Sequence, residues 1–255
     1  MTKVEEHKRE NDILLGFIER PALKWLAANM PDWVTPDILT WIGIGASVLI
    51  FISYSLTNVN PAYLWLASFG FVLNWFGDSL DGTLARYRHI ERPRYGFLID
   101  HWVDAISAVL IFIGLGISPY VDMTVALLGV IAYLLVSIMV YLITYVTGVF
   151  QITSAKIGPT EIRVLAIIAN TAIFFIGDVN FNLPFLGLTS LYTLIVGLMA
   201  FLMILYFMIN TGIQAHKLAL LDEKRLERKQ AKENKEEIKN KNTVAEPPKT
   251  ALNDR

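Results

Sequence analysis

From Ile38 to Gly77 the chain carries no formal charge, and further uncharged stretches run over Ala105–Val121, Met123–Ala155, Val164–Gly177 and Val179–Ala215. About 20 helical residues cross the roughly 30 Å of bilayer hydrocarbon, so each stretch is long enough, or nearly so, to span a membrane. Inside hydrocarbon every peptide N–H and C=O has to be paired within its own segment, which selects helices. Asn58, Asn60 and Pro61 supply turn chemistry that splits the first stretch in two. The expectation is an all-α polytopic membrane protein with six transmembrane helices, near residues 37–57, 61–86, 96–117, 123–149, 160–178 and 189–213. A composition that is 54% hydrophobic and 18% charged is far from that of a soluble domain.

The basic residues test this count. All 22 Lys and Arg residues fall before residue 25, between Arg86 and Arg94, at Lys156 and Arg163, or from Lys217 onward. The turns near Asn58, Pro119 and Asn182 contain none. Cytoplasmic loops are enriched in Lys and Arg, so an even number of spans with both termini in the cytoplasm is predicted, with a bacterial inner membrane as the expected compartment. No cleavable signal peptide is expected, because residues 1–12 are strongly polar. Residues 13–33 intersperse Phe17, Ile18, Trp25 and Trp33 with Glu19, Arg20 and Lys24, which suits an amphipathic helix lying in the membrane interface, broken by Pro21 and Pro31. A solvated leader is the plainer alternative. The predicted organisation is a cytoplasmic segment over 1–34, a transmembrane catalytic domain over 35–215 and a charged tail over 216–255 that is helix-favouring at first and then disordered. A formal net charge of −1 gives no field for nucleic acid, and the absence of cysteine excludes thiol chemistry.

Against this apolar background stand four carboxylates, Asp78, Asp81, Asp100 and Asp104, expected at or just inside the membrane boundary, where charge is costly. Spacings of three and four residues put each pair on one helix face, and the basic loop between the pairs returns the chain antiparallel. The pairs can then converge, and four facing carboxylates do not all stay ionised without cations. Hard divalent cations with oxygen ligands answer that need. His89 and His101 have no partner at ligand spacing and read as loop or interface residues. Gly82, Ala85 and Gly96 leave backbone open beside the carboxylates, either for a bulky ligand or for close helix packing. Arg86, one turn beyond Gly82, suits a diphosphate or an interface anchor equally.

The string DxxDGxxAR, followed after nine residues by GxxxDxxxD, resembles the signature of the CDP-alcohol phosphotransferases. Asp78, Asp81, Gly82, Ala85, Arg86, Gly96, Asp100 and Asp104 fill every fixed position. The resemblance implies six membrane helices, a homodimer, and transfer of a phosphoryl-bearing group between CDP and an alcohol with release of CMP. It implies two divalent cations, Mg²⁺ or Mn²⁺, on Asp78, Asp81, Asp100 and Asp104, with Asp104 also the general base. The nucleotide would lie near Gly82, Ala85, Arg86 and Gly96. A PNxxT element is common in the family at the opening of the first span. It is matched here by Pro36, Asp37 and Thr40, with Asp in place of Asn, and adds Asp37 and Thr40 to the nucleotide site.

The signature leaves the substrates open. The compact chain looks like the bacterial enzymes that pass a phosphatidyl group from CDP-diacylglycerol to a small polar alcohol such as serine, glycerol phosphate or inositol phosphate. The string GPTE at Gly158–Glu161 is similar to the choline and ethanolamine phosphotransferases, whose acceptor is diacylglycerol. Arg92, Lys156, Glu161 and Arg163 are the candidate acceptor ligands. For Lys156, Glu161 and Arg163 the plainer reading is a positive-inside loop with Thr160 capping a helix. A cation transporter is the rival outside the family and calls for carboxylates near the bilayer midplane on broken helices.

Overall fold

The computed structural model describes residues 15–147, 158–183 and 187–244, with side chains described as far as Lys235 except for that of Leu183. Expectations for residues 1–14, for Lys156 and for the end of the tail lie outside them. The elements are α1 (Gly16–Ala28), α2 (Pro36–Leu56), α3 (Tyr63–Tyr87), α4 (Pro93–Ile117), α5 (Met123–Thr147), α6 (Pro159–Ile176), β1 (Asn180–Leu183), β2 (Gly187–Ser190) and α7 (Leu191–Val244). Among the described residues, α2, α4, α5, α6 and α7 contain stretches long and apolar enough to cross a membrane. Together with apolar side chains left exposed on their outer faces, such as Phe175 at 73% and Ile176 at 71%, they mark an integral membrane protein of all-α architecture. The helix α3 falls outside that set; it carries Asn74, Asp78, Asp81 and Arg86 within its length.

Local chemistry sets the helix ends. Thr35 caps α2, its hydroxyl accepting from the Ile38 amide at 3.3 Å, and Pro36 takes the first helical position, where no donor is needed. The helix α3 ends in two backbone bonds, from the His89 amide to the Arg86 carbonyl at 3.2 Å and from the Ile90 amide to the Ala85 carbonyl at 3.0 Å. This is a Schellman closure, and it requires His89 to take a left-handed conformation, with φ 55°. His89 is therefore a turn residue, as its solitary position suggests. Arg88 spends its guanidinium on the carbonyls of Met30, Pro31 and Val34 at 3.0, 2.8 and 2.6 Å, fixing the link between α1 and α2.

Three details depart from the sequence reading. Pro21 lies inside α1 and does not break it; a proline removes one backbone donor, and the rest of this short helix is held by packing. The turn near Asn182 is an antiparallel ribbon, with Asn180 opposite Ser190 and Leu183 opposite Gly187. Gly187, at φ 69°, supplies the left-handed residue where β2 begins. The last helix runs on to Val244, because no glycine or proline lies between Gly212 and Pro247.

The chain forms two compact units, residues 1–207 and 208–255. The second, as far as it is described, is the continuation of α7, with Lys229 and Glu233 3.7 Å apart one turn from each other. In the first unit α2 packs on α3 and α4, α4 on α5, α3 on α6, and α1 on α3. Leu23 and Ala27 of α1, Val34, Leu39 of α2, and Leu80 and Leu84 of α3 form one buried cluster around the aspartate-bearing end of α3.

The α2–α3 contact is made backbone to backbone. A Cβ built on Gly77 would lie 2.6 Å from both the Gly43 nitrogen and the Leu39 oxygen, atoms that cannot rotate away. This approach sets Asp78 against α2. Gly77→Ala is expected to force the helices apart and to cost about 1–3 kcal/mol, read as a lower thermal midpoint in detergent. Gly45→Ala, where a Cβ meets nothing within 4 Å, is expected to leave the midpoint unchanged or slightly raised.

Candidate active site

The site is assembled from the last turns of α3, the first half of α4, and the N-termini of α2 and α6. Asp78 Oδ2 accepts from Arg163 Nη2 of α6 at 2.6 Å, and the two side chains are 16% and 12% exposed. Arg163 Nε donates to Asn74 Oδ1 at 2.8 Å. Asn74 Nδ2 in turn donates to the Gly43 carbonyl and the Ser47 hydroxyl of α2, each at 3.0 Å, and the hydroxyls of Ser47 and of Ser107 on α4 lie 2.8 Å apart. One polar chain thus ties α6, α3, α2 and α4 together at the level of the first aspartate. It satisfies groups that would otherwise be stranded in an apolar interior.

Asp81, one turn on, accepts from Thr40 Oγ1 of α2 at 2.7 Å and from the Gly82 amide at 2.5 Å. Thr40 therefore sits beside Asp81. Arg86 donates from Nη2 to Thr83 Oγ1 at 3.1 Å, and its Nη1 would be 3.3 Å from a Cβ on Gly82, so this guanidinium lies over the backbone at Gly82. Ala85 is half-buried, and a side chain on Gly96 would enter open space. Asp37 and Arg92, expected in the nucleotide and acceptor sites respectively, form an ion pair with each other, and Arg92 stacks 4.1 Å above the Tyr95 ring.

On α4, Asp104 lies within electrostatic range of Asp78, Asp81, Asp100 and Arg163. Tyr133 and Tyr141 of α5 are in range of Asp104 in turn. Asp104 is eleven residues beyond the start of α4 at Pro93, roughly 16 Å along the axis. Both α3 and α4 run unbroken through their aspartates, unlike the interrupted helices of an ion path. His101 sits between the Phe97 and Tyr141 rings, with Nδ1 4.0 Å from Asp100 Oδ2, an interface residue as expected.

The donor chemistry fits hard divalent cations: oxygen ligands only, with four like charges that repel one another in a poorly solvated place. Among the described residues, no three acidic or histidine side chains are drawn together closely enough to hold an ion. Asp78 is spent on Arg163 and Asp81 on Thr40.

Glu161 is spent elsewhere. Its Oε1 accepts from the Leu15 amide at 2.8 Å and its Oε2 from the Gly158 amide at 2.9 Å, joining the residues that precede α1 and α6. Gly158, rather than Thr160, is the N-cap of α6, followed by Pro159 at the first position. The Thr160 hydroxyl donates to Glu19 Oε1 at 2.8 Å, and Trp75 Nε1 donates to the same oxygen at 2.8 Å. The sequence reading missed Asn74, Ser47, Ser107, Trp75 and the role of Glu19. Only Asn74, an amide inside an apolar run, carried a signal that could have been noticed.

A family model described as CDP-alcohol phosphatidyltransferase matches residues 33–221. The chain belongs to that family. Among curated relatives it is 27% identical over 202 residues to cholinephosphotransferase 1 of Danio rerio, covering 73% of this chain and 51% of the relative. To cholinephosphotransferase 1 of Xenopus laevis it is 25% identical over 204 residues, 74% of this chain and 49% of the relative. To the CDP-diacylglycerol–serine O-phosphatidyltransferase of Encephalitozoon cuniculi it is 32% identical over 124 residues, 43% of this chain and 31% of the relative. The chain spans about half the length of the cholinephosphotransferases it matches. These relatives are eukaryotic and give the bacterial compartment no support.

Because both Glu161 oxygens serve backbone donors, Glu161→Ala is expected to lower the thermal midpoint of the substrate-free protein, two stranded amides costing about 1–3 kcal/mol each. An acceptor ligand with no structural duty would leave that midpoint unmoved.

Proposed function

We propose that the protein is a membrane phosphotransferase that moves a phosphoalcohol group from a CDP-alcohol of the CDP-choline or CDP-ethanolamine type to diacylglycerol, releasing CMP. The observation that carries the chemistry is that Asp104 of α4 lies within electrostatic range of Asp78, Asp81 and Asp100, and Asp81 within range of Asp78 and Asp100, in a chain of this family. Two divalent cations, Mg²⁺ or Mn²⁺, held by these aspartates would supply charge neutralisation for the diphosphate and for the departing CMP. Thr40 steadies Asp81. Arg86, on the face of Gly82, is positioned as a fork-shaped donor to the diphosphate, and Gly82, Ala85 and Gly96 leave room for the nucleotide, with Asp37 at its margin. Asp104 takes the proton of the acceptor hydroxyl. The hydroxyl oxygen forms its bond to phosphorus as the bond to the CMP oxygen breaks, in a single in-line displacement.

The acceptor assignment follows from how the cations are used. Arg92 pairs with Asp37, while Glu161 is capped by backbone. An acceptor with no charged headgroup, such as diacylglycerol, makes the least demand on them, and the cholinephosphotransferases cover the larger share of this chain. The second reading, CDP-diacylglycerol with a small polar alcohol, is supported by the serine phosphatidyltransferase match at higher identity over a shorter stretch.

In this reading α3 completes six spans, and the distribution of Lys and Arg places both termini and the aspartates on the cytoplasmic side. The helix α1 lies in the interface, with Phe17, Ile18 and Trp25 exposed toward lipid and Leu23 and Ala27 buried against α3. The working unit is a homodimer, as the family resemblance implies.

The test is CMP release by purified protein with Mg²⁺ or Mn²⁺. CDP-choline or CDP-ethanolamine plus diacylglycerol is expected to turn over, and CDP-diacylglycerol plus serine, glycerol phosphate or inositol phosphate is not; the reverse outcome selects the second reading. Asp104→Asn is expected to reduce turnover by at least about 10²-fold. Release of CMP at the Asp104→Asn level with every substrate pair would refute the enzyme reading.

A further inference from the structure

Asp78 has two competing cations to serve. In the proposed reaction it holds a divalent cation, yet here its Oδ2 lies 2.6 Å from a guanidinium nitrogen. A carboxylate has lone pairs for more than one partner, but a divalent cation and a guanidinium held on one carboxylate repel each other, so each weakens the other's hold.

Arg163 is also incompletely satisfied where it stands. Its Nε and Nη2 are bonded to Asn74 and Asp78, while Nη1 is buried with no hydrogen-bond partner. A buried donor left unmade is costly, so this position is a compromise imposed by charge. The charge count explains why it is accepted. Without metal, Arg163 is the cation in range of Asp104 as well as the partner of Asp78, and it offsets part of the repulsion among four carboxylates. Two divalent cations would balance four carboxylates by themselves and leave the guanidinium with nothing to neutralise.

We infer that Arg163 is an exchangeable counter-ion: it holds Asp78 while the aspartate site lacks metal and gives that carboxylate up when a divalent cation binds. Asn74 positions it through Nε, a bond that does not involve the aspartate. The inference rests on the divalent-metal reading above, and it assigns Arg163 a duty at the metal site in place of the acceptor role expected from the sequence.

The test is equilibrium binding of Mn²⁺ alone, with no nucleotide or lipid substrate, to the full chain in detergent at fixed ionic strength, with free Mn²⁺ followed by its paramagnetic resonance signal. Arg163→Gln removes the competitor and is expected to bind Mn²⁺ roughly tenfold or more tightly than wild type while unfolding at a lower temperature in metal-free buffer. Arg94→Gln, which removes the same charge from the first turn of α4, is expected to change Mn²⁺ affinity by less than about threefold. Should Arg163→Gln not fold, Arg163→Lys serves: an ammonium cannot bond Asn74 and Asp78 in the same fork, so Mn²⁺ binding is expected to tighten, by less. Unchanged or weaker Mn²⁺ binding in the folded Arg163 variant, or equal tightening in Arg94→Gln, overturns the counter-ion role while leaving the metal site standing. Absence of saturable Mn²⁺ binding in wild type and variants alike overturns the metal reading and this inference together.

Discussion

Mutual repulsion among four carboxylates in a poorly solvated helix bundle is the constraint from which the rest of the site follows. At close range in a medium less polar than water, each like pair costs several times what it would in solution. The chain answers with whatever positive or donor groups it can bring near. Arg163 comes from α6, the Thr40 hydroxyl from α2 and the Gly82 amide from α3 itself. The first two answers are also ties between helices, so the electrostatic problem of the site and the packing problem of the bundle share one solution. The contact of Gly77 with Gly43 makes this possible by letting α2 approach close enough for Thr40 to reach Asp81.

A second set of bonds fixes where α6 begins, and therefore where Arg163 points. Glu161 joins the starts of α1 and α6, and Glu19 gathers Thr160 and Trp75 around one oxygen. Arg163 lies two residues beyond Glu161 on the same helix. The guanidinium is thus aimed from one side by Asn74 and its helix is anchored from the other by α1. Helix α1 thereby takes part in setting the geometry at Asp78.

The helical architecture was legible because long uncharged runs have few alternatives in a bilayer. The region expected over 61–86 is α3 at Tyr63–Tyr87, and that over 123–149 is α5 at Met123–Thr147. The aspartates and Thr40 were legible because their spacing is fixed within single helices or matched to a signature. What was illegible depends on pairings far apart in the chain. Nothing local to Asp78 says that its partner is 85 residues away, and the Asp37–Arg92 pair joins residues that had been assigned to different ligands. Glu161 is the instructive case, since the Gly158–Pro159 start that makes it a third-position cap was visible in the sequence. Reading Thr160 as the cap hid it.

The substrate question turns on the same distinction between a charged residue and an available one. Counted in the sequence, Arg92, Lys156 and Arg163 make the entrance to the aspartates look prepared for a phosphate-bearing acceptor. In the fold, Arg92 already has a carboxylate partner, and a polyanionic acceptor would have to take it from Asp37 before gaining anything. The Asp37–Arg92 pair is half-exposed and weak enough to yield. The Asp78–Arg163 pair is largely buried, and in the proposed reaction it is the divalent cation, not the acceptor, that separates it. A neutral acceptor hydroxyl delivered from the lipid phase asks for no exchange at Arg92. That asymmetry, together with the wider match to cholinephosphotransferases, moves the balance from a soluble alcohol toward diacylglycerol.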